Sequence, residues 1–436
     1  MASLADPLQI AGLELRNRLY RAPLLECAGT GPDAVDTLIR ELEPAAASGA
    51  GFIHQGATIV TEEGGCAAPQ MTRVADPDFV NGLSALTDRI HDHGASIAIQ
   101  LEHGGLRARE IWHHGFEGPG YQLAVSRPPW PLRLLDRLGA LDLQSRIMST
   151  EAVYELAAAF GRSAEMAVDA GYDAVHLAGA NMGIIQQFCS PFFNGRDDEF
   201  GVGPDGFSAR FLEVVHDEIR ERAGDVPLLT KVPAETAAPP FVRSRLSLED
   251  GVELCRQLER IGFDAVVPVC TSTFWDASVV RGAYPARSWS DRSFRNGYRE
   301  TFGGRLGARL AALGNRVESW VYDFEPGWNE AYCRRVSEAV SIPVLMEGGI
   351  RDRSQIDRLL DEEVCNAVGM ARPFYAEPRL PARLLAGAGA AAVCESCNNC
   401  VVPQVTGARG VCRTPAVLRE TGQLERAGAY DAAGGE

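Results

Sequence analysis

The feature that most constrains this chain is a succession of short, β-rich apolar runs, each separated from the next by an amphipathic stretch of helical length. The runs are RLYRAP (18–23), GFIHQGAT (51–58), ASIAIQL (95–101), DAVHLAG (173–179), PLLTKV (227–232), DAVVPV (264–269), PVLMEGG (343–349) and CNAVGMA (365–371). Alternation of this kind marks repeated βα units and a parallel sheet. Eight strands with intervening helices predict an α/β chain folded as a closed (β/α)8 TIM barrel, with its chemistry at the C-terminal strand ends. An open doubly wound sheet is the competing fold, and the count of eight disfavours it.

Helix boundaries are also readable. Thr150 and Ser247 are expected N-caps, and Gly171 and Gly262 expected C-terminal stops. The barrel is expected over 1–388, with long insertions at about 104–149 and 270–328. A Cys-rich segment follows at 389–415, then an Ala/Gly-rich tail at 416–436 that is expected to be loosely held. The second insertion carries Trp275, Trp289, Trp320 and Trp328. Loops of this length are lids or binding loops, or else helices packed outside the barrel.

A formal charge of -16 and the lack of any sustained Lys/Arg block argue against nucleic acid or an anionic membrane as the main partner. No run of about twenty apolar residues occurs, and MASLADPLQIAG lacks the features of a signal peptide, so a cytoplasmic chain is expected. Of eleven cysteines, seven (27, 66, 189, 255, 270, 333 and 365) are scattered and expected as buried thiols.

The other four fall in CESCNNCVVPQVTGARGVC, at Cys394, Cys397, Cys400 and Cys412. Structural zinc usually takes two CxxC-like knuckles, whereas here three thiols share one turn and the fourth stands alone. A [4Fe–4S] cluster accepts such a triplet with a distant fourth ligand. The spacing favours the cluster, with zinc or a vacant site, and disulfides, as the alternatives. Two glycine-bearing strand ends, MEGGIRD (346–352) and GMARP (369–373), suit a phosphate site in which Arg372 is the natural cation.

Four segments, PLQIAGLELRNRLYRAPLLECAG, AIQLEHGG, AGYDAVHLAGANMGIIQQFCSPFFNGRDDEFG and EGGIRDRSQIDRLLDEEVCNAVGMARPFYAEPRLP, carry a further signal. In these the chain resembles the old yellow enzyme family of FMN-dependent oxidoreductases. Its Cys-rich end resembles the subgroup that includes 2,4-dienoyl-CoA reductase and trimethylamine dehydrogenase, where a similar CxxCNxC stretch binds a [4Fe–4S] cluster. The resemblance implies that Ala22 and Pro23 lie against the flavin and that Ala57 ends strand two beside it. It implies that Gln100 bonds the pyrimidine edge and that Lys231 stabilises the anionic reduced ring. Gly348, Gly349, Ala371 and Arg372 would hold the phosphate, and Asn181 would contact substrate.

The departures from the family are equally informative. Where relatives offer HGAHGY or HGANxxY, this chain has AGANMG, so Ala178 occupies the first substrate position and Gly183 aligns with the tyrosine that donates a proton. Leu25 replaces the hydroxyl or thiol that tunes the flavin. Glu26, Cys27, His103 and His176 are candidate replacements, His176 being expected as a barrel-interior histidine rather than an acid.

The expected activity is hydride transfer between flavin and an organic substrate, in the direction of reduction of an activated C=C bond, with NAD(P)H or a partner protein as donor. The alternatives are a flavin-dependent amine dehydrogenase or demethylase that passes electrons out through the cluster, and a non-catalytic FMN-binding assembly subunit. No GxGxxG-type fingerprint follows the cysteines, so a cluster there would exchange electrons with a separate protein or serve structurally. A small-molecule substrate and a homo-oligomer complete the expected partners.

Overall fold

The structure is a computed structural model that describes residues 3–74, 77–108, 120–387 and 389–431. All eight expected strands form: β1 Leu19–Arg21, β2 Phe52–Ile59, β3 Ser96–Glu102, β4 Ala174–Leu177, β5 Leu228–Ala234, β6 Ala265–Cys270, β7 Leu345–Glu347 and β8 Ala367–Met370. They pair in parallel in the order β6-β5-β4-β3-β2-β1-β8-β7. The ring is completed by a single parallel bridge, Val266 to Val344, and by Val266 N–H donating to the Pro343 carbonyl at 3.0 Å. A helix follows each strand: α1 Ala34–Ala47, α2 Pro77–His91, α3 Thr150–Asp169, α4 Arg210–Ala223, α5 Leu248–Ile261, α6 Glu330–Ser337, α7 Arg353–Asp361 and α8 Leu380–Ala386.

Side-chain alternation along each strand divides the core into two layers. On β3, Ile97, Ile99 and Leu101 join the cluster shared with the helices, whereas Ala98 joins the barrel interior. By the same parity Gln100 and Glu102 face inward. On β5, Leu228 and Val232 face the helices and Leu229 the interior, which turns Lys231 inward. A bulge between Gln55 and Ala57 resets the parity of β2. Phe52 is inward before it and Ala57 lines the cavity after it. An N-terminal hairpin, Leu8–Ile10 with Leu13–Leu15, leads into β1 and adds Leu8, Ile10 and Leu15 to the inner cluster.

Two details differ from expectation. The N-cap of α3 is Ser149, whose hydroxyl accepts from Ala152 N–H, while the Thr150 hydroxyl reaches Asp198 at 2.6 Å. Ser247 caps α5 through a full capping box with Asp250, and Gly262 ends it in the left-handed region, as the sequence indicates. Residues beyond 416 are not uniformly loose: α9 Pro415–Arg426 buries Val417 against Ala376 and Val393. Tyr430 then reaches Glu377 at 2.9 Å. The Ala/Gly content conceals these anchors, and residues 432–436 lie outside the described residues. The seven scattered cysteines are all buried free thiols.

Candidate flavin and substrate site

Inward parity places one residue from the upper layer of each strand around the C-terminal mouth: Ala22, Ala57, Gln100, Ala178, Lys231, Val269, Glu347 and Ala371. All but Ala22 line a cavity of about 620 Å³, within the range of small-molecule and cofactor sites. Ala22 is fully buried, its N–H donating to the Met370 carbonyl at 2.9 Å. Pro23, Asn181, Gly348, Gly349 and Arg372 lie on the same wall. Apart from the fully buried Ala22, the residues expected to hold a flavin or to contact substrate are thus gathered on one surface, although they come from seven separate parts of the chain.

The glycines at the end of β7 are required by the backbone. Gly349 has φ +71°, and a Cβ there would come within 2.3 Å of the Glu325 carbonyl. A bare backbone at this corner leaves room for a close anionic group. Arg372 is 5% exposed and donates to the side-chain oxygen of Asn398 and to the Arg281 carbonyl, the latter at 2.7 Å. Lys231 Nζ donates to Glu347 at 2.8 Å, and Tyr20 OH reaches the other oxygen of that carboxylate at 3.3 Å.

Four residues that line the cavity each hold a buried N–H donor with no acceptor among the described residues: Gln100 Nε2, Arg107 Nε, Trp328 Nε1 and Arg351 Nε. Buried donors left unsatisfied are costly, so a wall with this bias suits a ligand rich in acceptors and negative charge. FMN, with its ring carbonyls and phosphate, meets that requirement. The residues present therefore fit the cofactor.

Two groups that the sequence did not single out stand on the cavity wall. Glu102, at the end of β3, pairs with Arg107 in the turn Gly105–Arg107. A Cβ on Gly183 would lie 3.7 Å from Glu102, so the position aligned with the missing tyrosine faces this pair. Glu318, in the helix Arg305–Val321 of the second insertion, is pushed up to about 7 by burial and by the charge of Asp276. Asn315 donates to it at 3.3 Å. Asp276 in turn holds the Tyr322 hydroxyl at 2.9 Å.

The replacements named from sequence sit elsewhere. Glu26 is buried against Arg21 at 2.9 Å and accepts from Gly56 N–H. Cys27 is pushed up to about 12 by burial and the neighbouring Glu26 charge. His103 is pressed against Gly65 and held well below its ordinary value, at about 4, by burial. His176 is a barrel-interior residue, its Nδ1 2.9 Å from that of His54. None of these four lines the cavity, whereas Leu25 does.

The second insertion contributes Trp275, Asp276, Trp289, Asn315, Glu318 and Trp328 to the wall. Part of the first insertion, 109–119, lies outside the described residues. The Cys-rich segment also reaches the cavity through Val401, Val402, Gln404 and Val405. It is docked by Gln404 and Tyr375, both donating to the Leu25 carbonyl, and by Arg351 donating to the Ser396 hydroxyl.

All four cysteines of the segment are free thiols. Cys394, Cys397 and Cys412 lie close enough to Cys400 to raise its pKa further, beyond the larger effect of burial. Four thiols in one segment are the donor type of a thiolate-bound metal centre, but their side chains do not converge on one. Among the described residues, no three His, Cys, Asp or Glu side chains are arranged to hold a metal ion as they stand. No helix there is long and apolar enough to cross a membrane.

Comparison with known proteins assigns the frame. The chain is 27% identical over 424 residues to the 4,4'-dithiodibutanoate disulfide reductase of Rhodococcus erythropolis, covering 97% of this chain and 98% of that protein. It is 28% identical over 388 residues to the metal reductase of Desulforamulus reducens, covering 89% of this chain but only 49% of that longer protein. Among solved structures, histamine dehydrogenase from Rhizobium sp. 4-9 shares the fold, with a TM-score of 0.71 at 22% identity over 96% of this chain and 53% of that one. Residues 3–241 match the NADH:flavin oxidoreductase / NADH oxidase family, and the chain belongs to that family of FMN-dependent oxidoreductases.

Proposed function

We propose that the protein reduces an activated C=C bond in a small carbonyl-bearing substrate, drawing electrons from NAD(P)H or from a partner protein. The observation that supports a flavin in this reading is the set of unsatisfied N–H donors in residues that line the cavity at the strand ends, and the flavin oxidoreductase family to which the chain belongs supports the redox class. FMN, when bound there, supplies hydride chemistry. Gln100 and Lys231 would hold the pyrimidine edge, Gly348, Gly349, Ala371 and Arg372 the phosphate, and Asn181 the substrate. Ala22, Pro23 and Ala57 would form the apolar bed of the ring.

In this reading the proton that the missing tyrosine would give comes from Glu318, a cavity-lining carboxyl that is protonated below about pH 7. Its capacity to donate is complete at acid pH and falls as pH rises through that value. Glu318→Gln should leave flavin reduction by NAD(P)H unchanged and slow enone reduction by roughly 10²–10⁴-fold. Wild-type turnover should lose activity on the alkaline side of about pH 7, and stopped-flow measurement of the two half-reactions tests both statements. An unaltered oxidative half-reaction in the variant would remove Glu318 from this role.

The test of the function itself is the spectrum of the purified protein during anaerobic titration. Flavin bands should bleach with NADH or NADPH and return on adding an enone, an unsaturated carboxylate or 4,4'-dithiodibutanoate, the last being named for the Rhodococcus relative. A colourless protein would defeat the proposal. Return of the flavin with the disulfide alone would move the substrate from C=C to S–S.

We also propose that Cys394, Cys397, Cys400 and Cys412 hold a [4Fe–4S] cluster, on the support of their spacing and four free thiols. Anaerobic iron analysis should find iron in the wild type and its near-complete loss in Cys397→Ser. Zinc in place of iron, or equal iron in the variant, would exclude the assignment.

A further inference from the structure

The helix Arg305–Val321 in the second insertion has two unlike faces. One face, through Ala311, Gly314, Asn315 and Glu318, forms part of the cavity wall. The other exposes Leu306, Leu310, Leu313, Val317, Trp320 and Val321, all between 50% and 78% accessible. Positions 306, 310, 313, 317 and 320 recur at intervals of four, three, four and three, which is the seam spacing of a helix that packs against another helix. These six side chains form one exposed apolar stripe along the helix, the kind of surface from which a standard stable interface buries ~800 Å² per partner. Monomers rarely leave more than a few hundred Å² in one contiguous patch.

The charges around the seam indicate what covers it. Arg305 and Arg309 are exposed at the N-terminal end, with no ion-pair partner among the described residues. Asp323 and Glu325 are exposed just past the C-terminal end, Glu325 being paired with Arg281. Antiparallel pairing of two such helices about a two-fold axis sets the basic end of each beside the acidic end of the other. It also opposes their macrodipoles favourably. A Trp and arginines at the seam are the residue types that dominate stable interfaces.

We infer that this face is the interface of a two-fold homodimer, in which the Arg305–Val321 helices of two copies of the chain pack antiparallel. An anionic membrane surface would also attract an arginine-flanked apolar helix, but the net charge of -16 opposes it. The dimer also fixes the position of a cavity wall, because the same helix serves both surfaces.

Sedimentation velocity on the flavin-loaded full chain should give twice the chain mass at micromolar concentration. Leu310→Glu/Leu313→Glu should sediment as a monomer, with unchanged far-UV circular dichroism because both side chains face solvent. Arg309→Glu should raise the dimer dissociation constant at least tenfold, and adding Asp323→Arg should restore it. A wild type that stays monomeric at 100 µM would overturn the inference. So would a dimer indifferent to the double leucine change, or a monomer that floats with phosphatidylglycerol vesicles through Leu310 and Leu313.

Discussion

Arg21→Met is expected to cost about 3–5 kcal/mol of folding stability, the range for leaving one partner of a buried ion pair uncompensated. Arg21 and Glu26 are 1% and 4% exposed and 2.9 Å apart. Glu26 also accepts from Gly56 N–H at 3.0 Å, so the pair ties the end of β1 to the bulge that turns Ala57 into the cavity. Burial already pushes the Glu26 carboxyl up, and Arg21 is the group that pulls it back. Without the guanidinium the folded-state pKa rises further above its unfolded value of about 4.3.

A raised carboxyl means that the folded state holds more protons than the unfolded chain. The loss of stability is then smallest near pH 4 and grows as pH rises toward the folded-state value. Urea unfolding at pH 5 and pH 8 should show the larger deficit at pH 8. Glu26→Gln in the same chain keeps an acceptor for Gly56 and removes the charge, so the double variant should be more stable than Arg21→Met alone. A deficit under about 1 kcal/mol at pH 8 would show that the pair is not structurally important.

Arg372→Ala should weaken FMN retention by about 10- to 150-fold, which corresponds to losing a charge-assisted hydrogen bond of about 1.5–3 kcal/mol. Lysine at this position keeps the charge without the planar fork and should fall between the two. Arg372 also anchors Asn398 in the Cys-rich loop. Asn398→Ala therefore serves as the control, since it breaks the loop contact and keeps the cation. Fluorescence titration of the apoprotein separates the three variants, and full occupancy of Arg372→Ala after dialysis would exclude the phosphate assignment.

Much of the barrel is legible in the sequence because its strands are continuous apolar runs that survive any choice of reading window. The site is legible where a residue lies on a strand and its parity is set by apolar neighbours, as for Gln100 beside Ile99 and Leu101, or Lys231 beside Val232. Glu347 escaped notice because it precedes two glycines that already explain the motif, and only the folded ring shows that it meets Lys231 across the barrel. Glu318 and Asp276 lie 42 residues apart in an insertion without periodic strands, and no local pattern announces that they face one cavity. The tail misled for the opposite reason, since one valine and one tyrosine among alanines and glycines suffice to dock it.

The barrel has a seam. Every adjacent strand pair is joined by a ladder except β6 and β7, which share one bridge near their beginnings. Farther up, the side chain of Asn329 replaces the ladder, accepting from Cys270 N–H at 2.8 Å and donating to the Glu347 carbonyl at 2.8 Å. The Lys231–Glu347 ion pair crosses the same line. The amides along β6 and β7 are consequently those from which hydrogen exchange should report opening first, at a free energy below that of global unfolding. A barrel closed along one line by an amide and an ion pair is expected to part there before any of its remaining seven joints.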